Sequence, residues 1–200
     1  MTQKTRERGR PREFDADAAL DRAIEVFWRN GYEGASLGEL TAAMGINRPS
    51  LYAAYGNKEE LFRRAVTRYA EIDMAYARAA LAQPTAYEVI ETFLRTNADA
   101  LTRADRPAGC LSIQGGIASG NDDGQISQFL AGRRLAGEQA LADRLASAVR
   151  TGDLPAGTDP AALARYVMTV SEGNAVHAAA GVDRASLHAT VDIALKAVPR

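Results

Sequence analysis

A single cysteine, Cys110, in 200 residues rules out an intramolecular disulfide framework and a cysteine-based zinc cluster. Two histidines, His177 and His188, leave little material for metal chemistry, so neither metal nor cofactor is expected. No stretch approaches the about 18 uncharged apolar residues that would cross a bilayer. The opening MTQKTRERGRPREF is basic, but no apolar run follows it, which excludes a secretory signal. Nor is there an excess of one charge: the net value is −1, which argues against wholesale nucleic-acid binding. These absences point to a reduced, cytoplasmic, metal-free chain with no membrane partner.

What is present is a core-forming composition, 46% apolar and 24% charged, in a chain long enough to bury roughly 70% of its unfolded surface. The charge is unevenly placed. Residues 1–69 carry +2 and residues 70–200 carry −3. The excess sits at the front, where Lys4, Arg6, Arg8, Arg10 and Arg12 face Glu7 and Glu13. A short basic arm ahead of a folded unit suits phosphate contact; a merely solvated terminus is the alternative.

Helical signals dominate, with no period-2 run. Asp15 caps a first helix carrying Leu20, Ala23, Ile24 and Phe27, closed by Asn30-Gly31. Ser36 and Glu39 form a capping box for a second helix that stops at Gly45. Asn47 caps a third, with Pro49 in its first turn. Asn57 and Glu60 open a fourth, with Leu61, Phe62, Ala65, Val66 and Tyr69 inward. Pro84 is expected to start a helix ending near Arg103. Residues 107–124 are glycine-rich and only weakly helical. Further helices follow over 125–150, from Asp159-Pro160 to about Ala180, and from Asp183 onward. Short helices therefore come first and long ones afterwards.

Residues 37–54 have the spacing of a helix-turn-helix, whose tight turn needs a residue that tolerates positive φ, here Gly45. Leu40, Met44, Ile46 and Leu51 fall where the helices meet. Arg48, Pro49, Ser50 and Tyr52 are left around the start of the second helix, the part of a recognition helix that meets base edges. Arg48 suits guanine, Ser50 a base or phosphate, and Tyr52 a phosphate or thymine methyl. The amides at Ser36 and at Asn57-Lys58 offer anion sites on the flanks. The expected DNA-facing set is Arg10, Arg12, Ser36, Leu37, Asn47, Arg48, Pro49, Ser50, Tyr52, Tyr55 and Lys58. A helical hairpin used only for protein contacts is the rival.

The combination Gly31-Tyr32-x-x-Ala35-Ser36-Leu37, Leu40 through Met44-Gly45-Ile46, and Arg48-Pro49-Ser50-Leu51-Tyr52-x-x-Tyr55-Gly56-x-Lys58-Glu59-Glu60-Leu61 resembles the N-terminal domain of TetR/AcrR transcriptional regulators. The likeness covers roughly residues 12–70; Thr41 departs from the usual alanine but is small. It implies an all-α protein: a flexible arm (1–12), a three-helix DNA-binding head (13–57), and a helical ligand-binding and dimerisation body (58–200). It further implies a homodimer paired through the last two helices, whose many alanines permit close approach or pack internally. The function implied is a repressor released from a palindromic operator by a small-molecule or electrophile inducer. A constitutive or architectural DNA-binding protein is the alternative. With no paired acid/base set, metal cluster or cofactor motif, an enzyme is not expected.

Some regulators of this kind place a reactive thiol at a similar Gly-Cys-Leu, which suggests a sensor role for Cys110 if Arg106 or a helix start depresses its pKa. A small buried apolar residue is the plainer reading. Phe93, Cys110, Ile113, Phe129, Tyr166, Met168 and Val170 are candidates for lining an effector cavity, or else plain core. Gly115, Gly116 and Gly120 do not make a phosphate loop, since no Gly-Lys-Ser/Thr follows. They weaken a helix by about 1 kcal/mol each and so suit a segment that shifts, or a plain connection.

Overall fold

The computed structural model describes residues 15–117 and 124–199. The arm with Arg10 and Arg12, and residues 118–123 of the glycine-rich segment, lie outside the described residues. Among those described, ten helices and no strand occur. They are α1 (Ala16–Gly34), α2 (Leu37–Met44), α3 (Arg48–Tyr55), α4 (Lys58–Ile72), α5 (Ala75–Leu81), α6 (Ala86–Leu101), α7 (Leu111–Ile117), α8 (Gln125–Thr151), α9 (Pro160–Ala179) and α10 (Arg184–Leu195). No helix among these residues is long and apolar enough to span a membrane.

The expected caps form. The Asp15 carboxylate accepts from the amides of Asp17 and Ala18 at 3.0 and 3.1 Å. Asn57 and Glu60 exchange bonds of 2.8 and 3.0 Å at the start of α4, and Asp159 and Asp183 cap α9 and α10. Gly31 breaks α1 with φ 69°, and one further turn runs on to Gly34.

Three elements differ from expectation. Helix α6 starts later than Pro84, at Ala86, because Thr85 and Glu88 close a capping box and Asp153 accepts from the Ala86 amide at 2.6 Å. Helix α5 has no side-chain cap and no apolar period, so nothing announced it. The weakly helical segment contains α7, seven residues long. Its glycine is a packing device: a Cβ on Gly115 would lie 3.0 Å from Cζ of Phe62. Close approach of the Phe62 ring outweighs glycine's poor helix propensity. With α5 and α7 among them, the later helices are not uniformly long.

Two apolar cores result. One joins Ile24, Phe27, Leu40, Leu51, Phe62 and Val66 to Leu101, Leu111, Ile126, Leu130 and Leu187, so it runs through the α3–α4 turn and binds head to body. The other fills the space between α6, the C-terminal half of α8, α9 and α10. Ala164, Ala175 and Ala178 pack inside the subunit, whereas Ala161, Ala162, Ala179 and Ala180 are exposed. Val176 on α9 and Ile193 on α10 are also exposed, 47% and 68%.

Arg68 ties α4 to α1, reaching Asp21 at 2.5 Å and Asp17 at 3.1 Å. Its hydrogen bond holds the Asp21 carboxyl below the ordinary range. A carboxylate with a depressed folded pKa adds stability that is complete above its unfolded value, about 3.9, and is lost as pH falls through the folded value. Arg68→Gln is therefore expected to destabilise the protein at pH 7 and to converge on the parent as pH falls through the folded value of Asp21, as read by urea unfolding. A difference that persists unchanged at low pH would dismiss the pair.

Candidate nucleic-acid interface and effector cavity

The turn between α2 and α3 is built as a helix-turn-helix requires. The Ser36 hydroxyl accepts from the Glu39 amide at 3.2 Å, while the Glu39 carboxylate accepts from the Ser36 amide at 2.9 Å. Gly45 ends α2 at φ 68°, ψ 30°, and the Ile46 amide donates back to the Thr41 carbonyl at 3.1 Å. Arg22 of α1 donates to the freed Met44 carbonyl at 3.2 Å. The hydroxyl of Thr41 donates to the Leu37 carbonyl at 2.8 Å, so the side chain is absorbed within α2. Asn47 then caps α3 by accepting from the Ser50 amide at 2.9 Å.

Helix α3 is anchored through Leu51 and Tyr55, both buried. Arg48, Pro49, Tyr52 and Ala53 are exposed and Ser50 is half-buried. Arg48 makes no hydrogen bond or ion pair among the described residues, which leaves its guanidinium available. A frame buried on one side and polar on the other is what groove insertion demands.

A cavity of about 220 Å³ opens in the body. Met74, Ala77, Phe93, Ile113, Met168 and Ala175 give it an apolar lining, with Asn97, Ser112, Ser171 and Cys110 as buried polar or polarisable groups. Arg78 and Arg133 are exposed and belong to its solvent side, with Arg134 and Glu172 half-buried beside them at 3.9 Å. Burial pushes the Glu172 carboxyl up, against the pull of Arg134. The buried Tyr69 hydroxyl donates to the Cys110 sulfur at 3.3 Å; burial, then the neighbouring thiol, push that phenol well up. Arg106 turns elsewhere, to buried Asp73 at 3.0 Å and toward Glu25 at 3.9 Å.

Residues 19–65 match the family of bacterial regulatory proteins, tetR family, and residues 86–194 match the tetracyclin repressor-like C-terminal domain. The second match alone spans more than half of the chain. This chain belongs to the TetR family of transcriptional regulators. It is 35% identical over 189 residues to the HTH-type transcriptional repressor ComR of Escherichia coli K12, covering 94% of this chain and 89% of that protein. It is 37% identical over 161 residues to the HTH-type transcriptional regulator YezE of Bacillus subtilis 168, covering 80% and 83%. Among solved structures, a cysteine mutant of the TetR family regulator CifR complexed with 26-bp double-strand operator DNA superposes with TM-score 0.90 at 41% identity, over 95% of this chain and all of that one. Like its relatives, this TetR-family protein is a DNA-binding regulator and not an enzyme.

In this TetR-family head, Ser36, Asn47, Arg48, Pro49 and Tyr52 are exposed and Ser50 is half-buried. Tyr55 is corrected: its ring is buried and its hydroxyl donates to the Ala16 carbonyl at 2.6 Å, because it lies one turn beyond Leu51 on the inward face. Leu37 is half-buried against the core, so only its backbone amide remains for a phosphate. Lys58 lies over the Tyr32 ring, 4.5 Å from its centre, and donates to the Glu33 carbonyl at 3.4 Å.

Of the cavity candidates, Phe93, Cys110, Ile113 and Met168 line it. The other three do not. Phe129 stacks under the Arg63 guanidinium at 4.7 Å, Tyr166 donates to the Ala194 carbonyl at 3.1 Å, and Val170 packs on the second core. Asn97, Ser112, Ser171 and the Tyr69 partner of Cys110 were missed. Asn97 left one readable signal, a polar residue within the apolar stripe of α6.

Proposed function

We propose that this regulator is a homodimeric repressor of a palindromic operator, released when a small molecule fills the body cavity. The observation that carries it is the outward set Arg48, Pro49, Ser50 and Tyr52 on a rigidly capped α3, within a fold matching CifR on operator DNA. Ser36, Leu37, Asn47 and Lys58 would flank that helix as phosphate contacts, with Arg10 and Arg12 of the arm beyond them. The exposed Val176 and Ala179 on α9, with Ala189 and Ile193 on α10, support pairing of two subunits there. In this division residues 1–12 are the arm, 13–57 the head and 58–200 the body, working in the cytoplasm.

Coupling follows from α7. It packs against α1 of the head and against α8 and α9 of the body, and Cys110 and Ser112 place its start in the cavity wall. An occupant that displaces α7 moves α1 with it, and so changes the spacing of two heads on successive major grooves. An electrophile is the other class of inducer in this reading, with Cys110 in the wall as the thiol it would meet.

The test is fluorescence anisotropy against the DNA immediately upstream of the protein's own gene, with unrelated duplex as competitor. Competitor-resistant binding at two subunits per site, or four for paired dimers, is expected. Binding that disappears with competitor there and in selection from random DNA would overturn the repressor reading. Insensitivity to every candidate effector and thiol electrophile would mark a constitutive regulator instead.

A further inference from the structure

Helix α6 presents Val89, Ile90, Phe93, Leu94, Ala98 and Leu101 to the interior, and Asn97 interrupts that stripe. Its side chain is only 4% exposed. The amide nitrogen donates to the Tyr76 hydroxyl at 2.9 Å. The amide oxygen has no hydrogen-bond partner among the described residues, and Asn97 lines the cavity. A buried acceptor without a donor has lost its water and gained nothing in exchange. The exception asks for a group that supplies the donor.

The cavity's size and remaining walls narrow that group. An apolar cavity of about 150 Å³ accepts benzene, and this one measures about 220 Å³. That is room for one ring with a small substituent. Phe93, Ile113, Met168 and Ala175 offer it apolar contact, and the thioether and aromatic edge suit a ring.

We infer that the effector is a single-ring or similarly compact apolar molecule bearing a hydroxyl or N–H donor, held by a hydrogen bond to the Asn97 side-chain oxygen. This rests on the cavity being the effector site. The ring fills the apolar wall, the donor satisfies the orphan oxygen, and a molecule lacking the donor leaves that oxygen dry and unpaired. Selectivity then comes from one amide, since hydrophobic walls alone discriminate poorly between compounds of equal shape.

Three probes of nearly equal size test this by calorimetric titration of the intact protein: p-cresol with a donor, 4-methylanisole with an acceptor only, and toluene with neither. We expect p-cresol to bind at least tenfold more tightly than either of the others. We expect Asn97→Leu to erase that preference while leaving toluene binding in place. Equal affinities, a preference for 4-methylanisole, or no binding by any probe would overturn the inference. The three-probe comparison on the parent protein needs no variant, so a poorly folded Asn97→Leu does not blunt it. Operator affinity measured without any probe reports on the repressor reading alone, so the two fail separately.

Discussion

Phe62→Ala is expected to destabilise the protein by about 3–5 kcal/mol, read as the shift in urea midpoint at constant slope. Phe62 is fully buried. Its ring meets Phe27 edge-on at 5.0 Å and Tyr32 at 5.2 Å, and it also lies against the backbone of α7 at Gly115. Truncation therefore opens a cavity among three elements that belong to the head, the connecting helix α4 and the body. The site has little freedom to collapse, because α1 and α4 are fastened by Arg68 to Asp21. Head and body share this core, so unfolding of the variant should remain a single transition seen alike by tryptophan fluorescence (Trp28 packs on Tyr69 at 4.8 Å) and by far-ultraviolet circular dichroism. A loss below about 1 kcal/mol, or an early transition confined to the head, would mean that the core is not continuous.

That continuity was not legible in the sequence, whereas the helix boundaries largely were. Caps are local: Asp15, Ser36, Asn47, Asn57, Asp159 and Asp183 each declare themselves within four residues of the amides they satisfy. Gly45 was legible for the same reason, since its positive φ is a property of one residue. Helix α5 has no cap, and the glycine within α7 is explained by Phe62, some fifty residues away in the chain, packing against it; neither fact is local. Phase was legible but misapplied to Tyr55, which follows Leu51 by four residues and so shares its inward face, while Tyr52 falls on the outer one. The cavity is the hardest case. Its walls come from residues spread between Ala70 and Ala175, and periodicity tells which residues face inward but not which inward positions are left unfilled. Only Asn97, polar where its stripe is apolar, marked the place in one dimension.

The second large effect is expected at Arg48. Its backbone is fixed at the start of α3 by the Asn47 cap, its side chain is exposed, and no carboxylate competes for it among the described residues. A guanidinium so placed can donate bidentately to one guanine, an interaction of about 1–3 kcal/mol. Arg48→Ala should therefore weaken operator binding by roughly 5–150-fold and relax the preference at a single base pair in each half-site. It should leave thermal stability unchanged, because the side chain is exposed and makes no hydrogen bond or ion pair among the described residues. Tyr55→Phe is the matched control on the same helix: it loses the bond to the Ala16 carbonyl, costs about 1 kcal/mol of stability, and keeps the base preferences of the parent. The comparison separates reading from scaffolding, since both changes lie within two turns of each other. Uniform weakening by Arg48→Ala across all operator variants, with a shallower salt dependence, would make it a phosphate contact. The base would then be read by Ser50 and Tyr52, the other outward side chains on that helix.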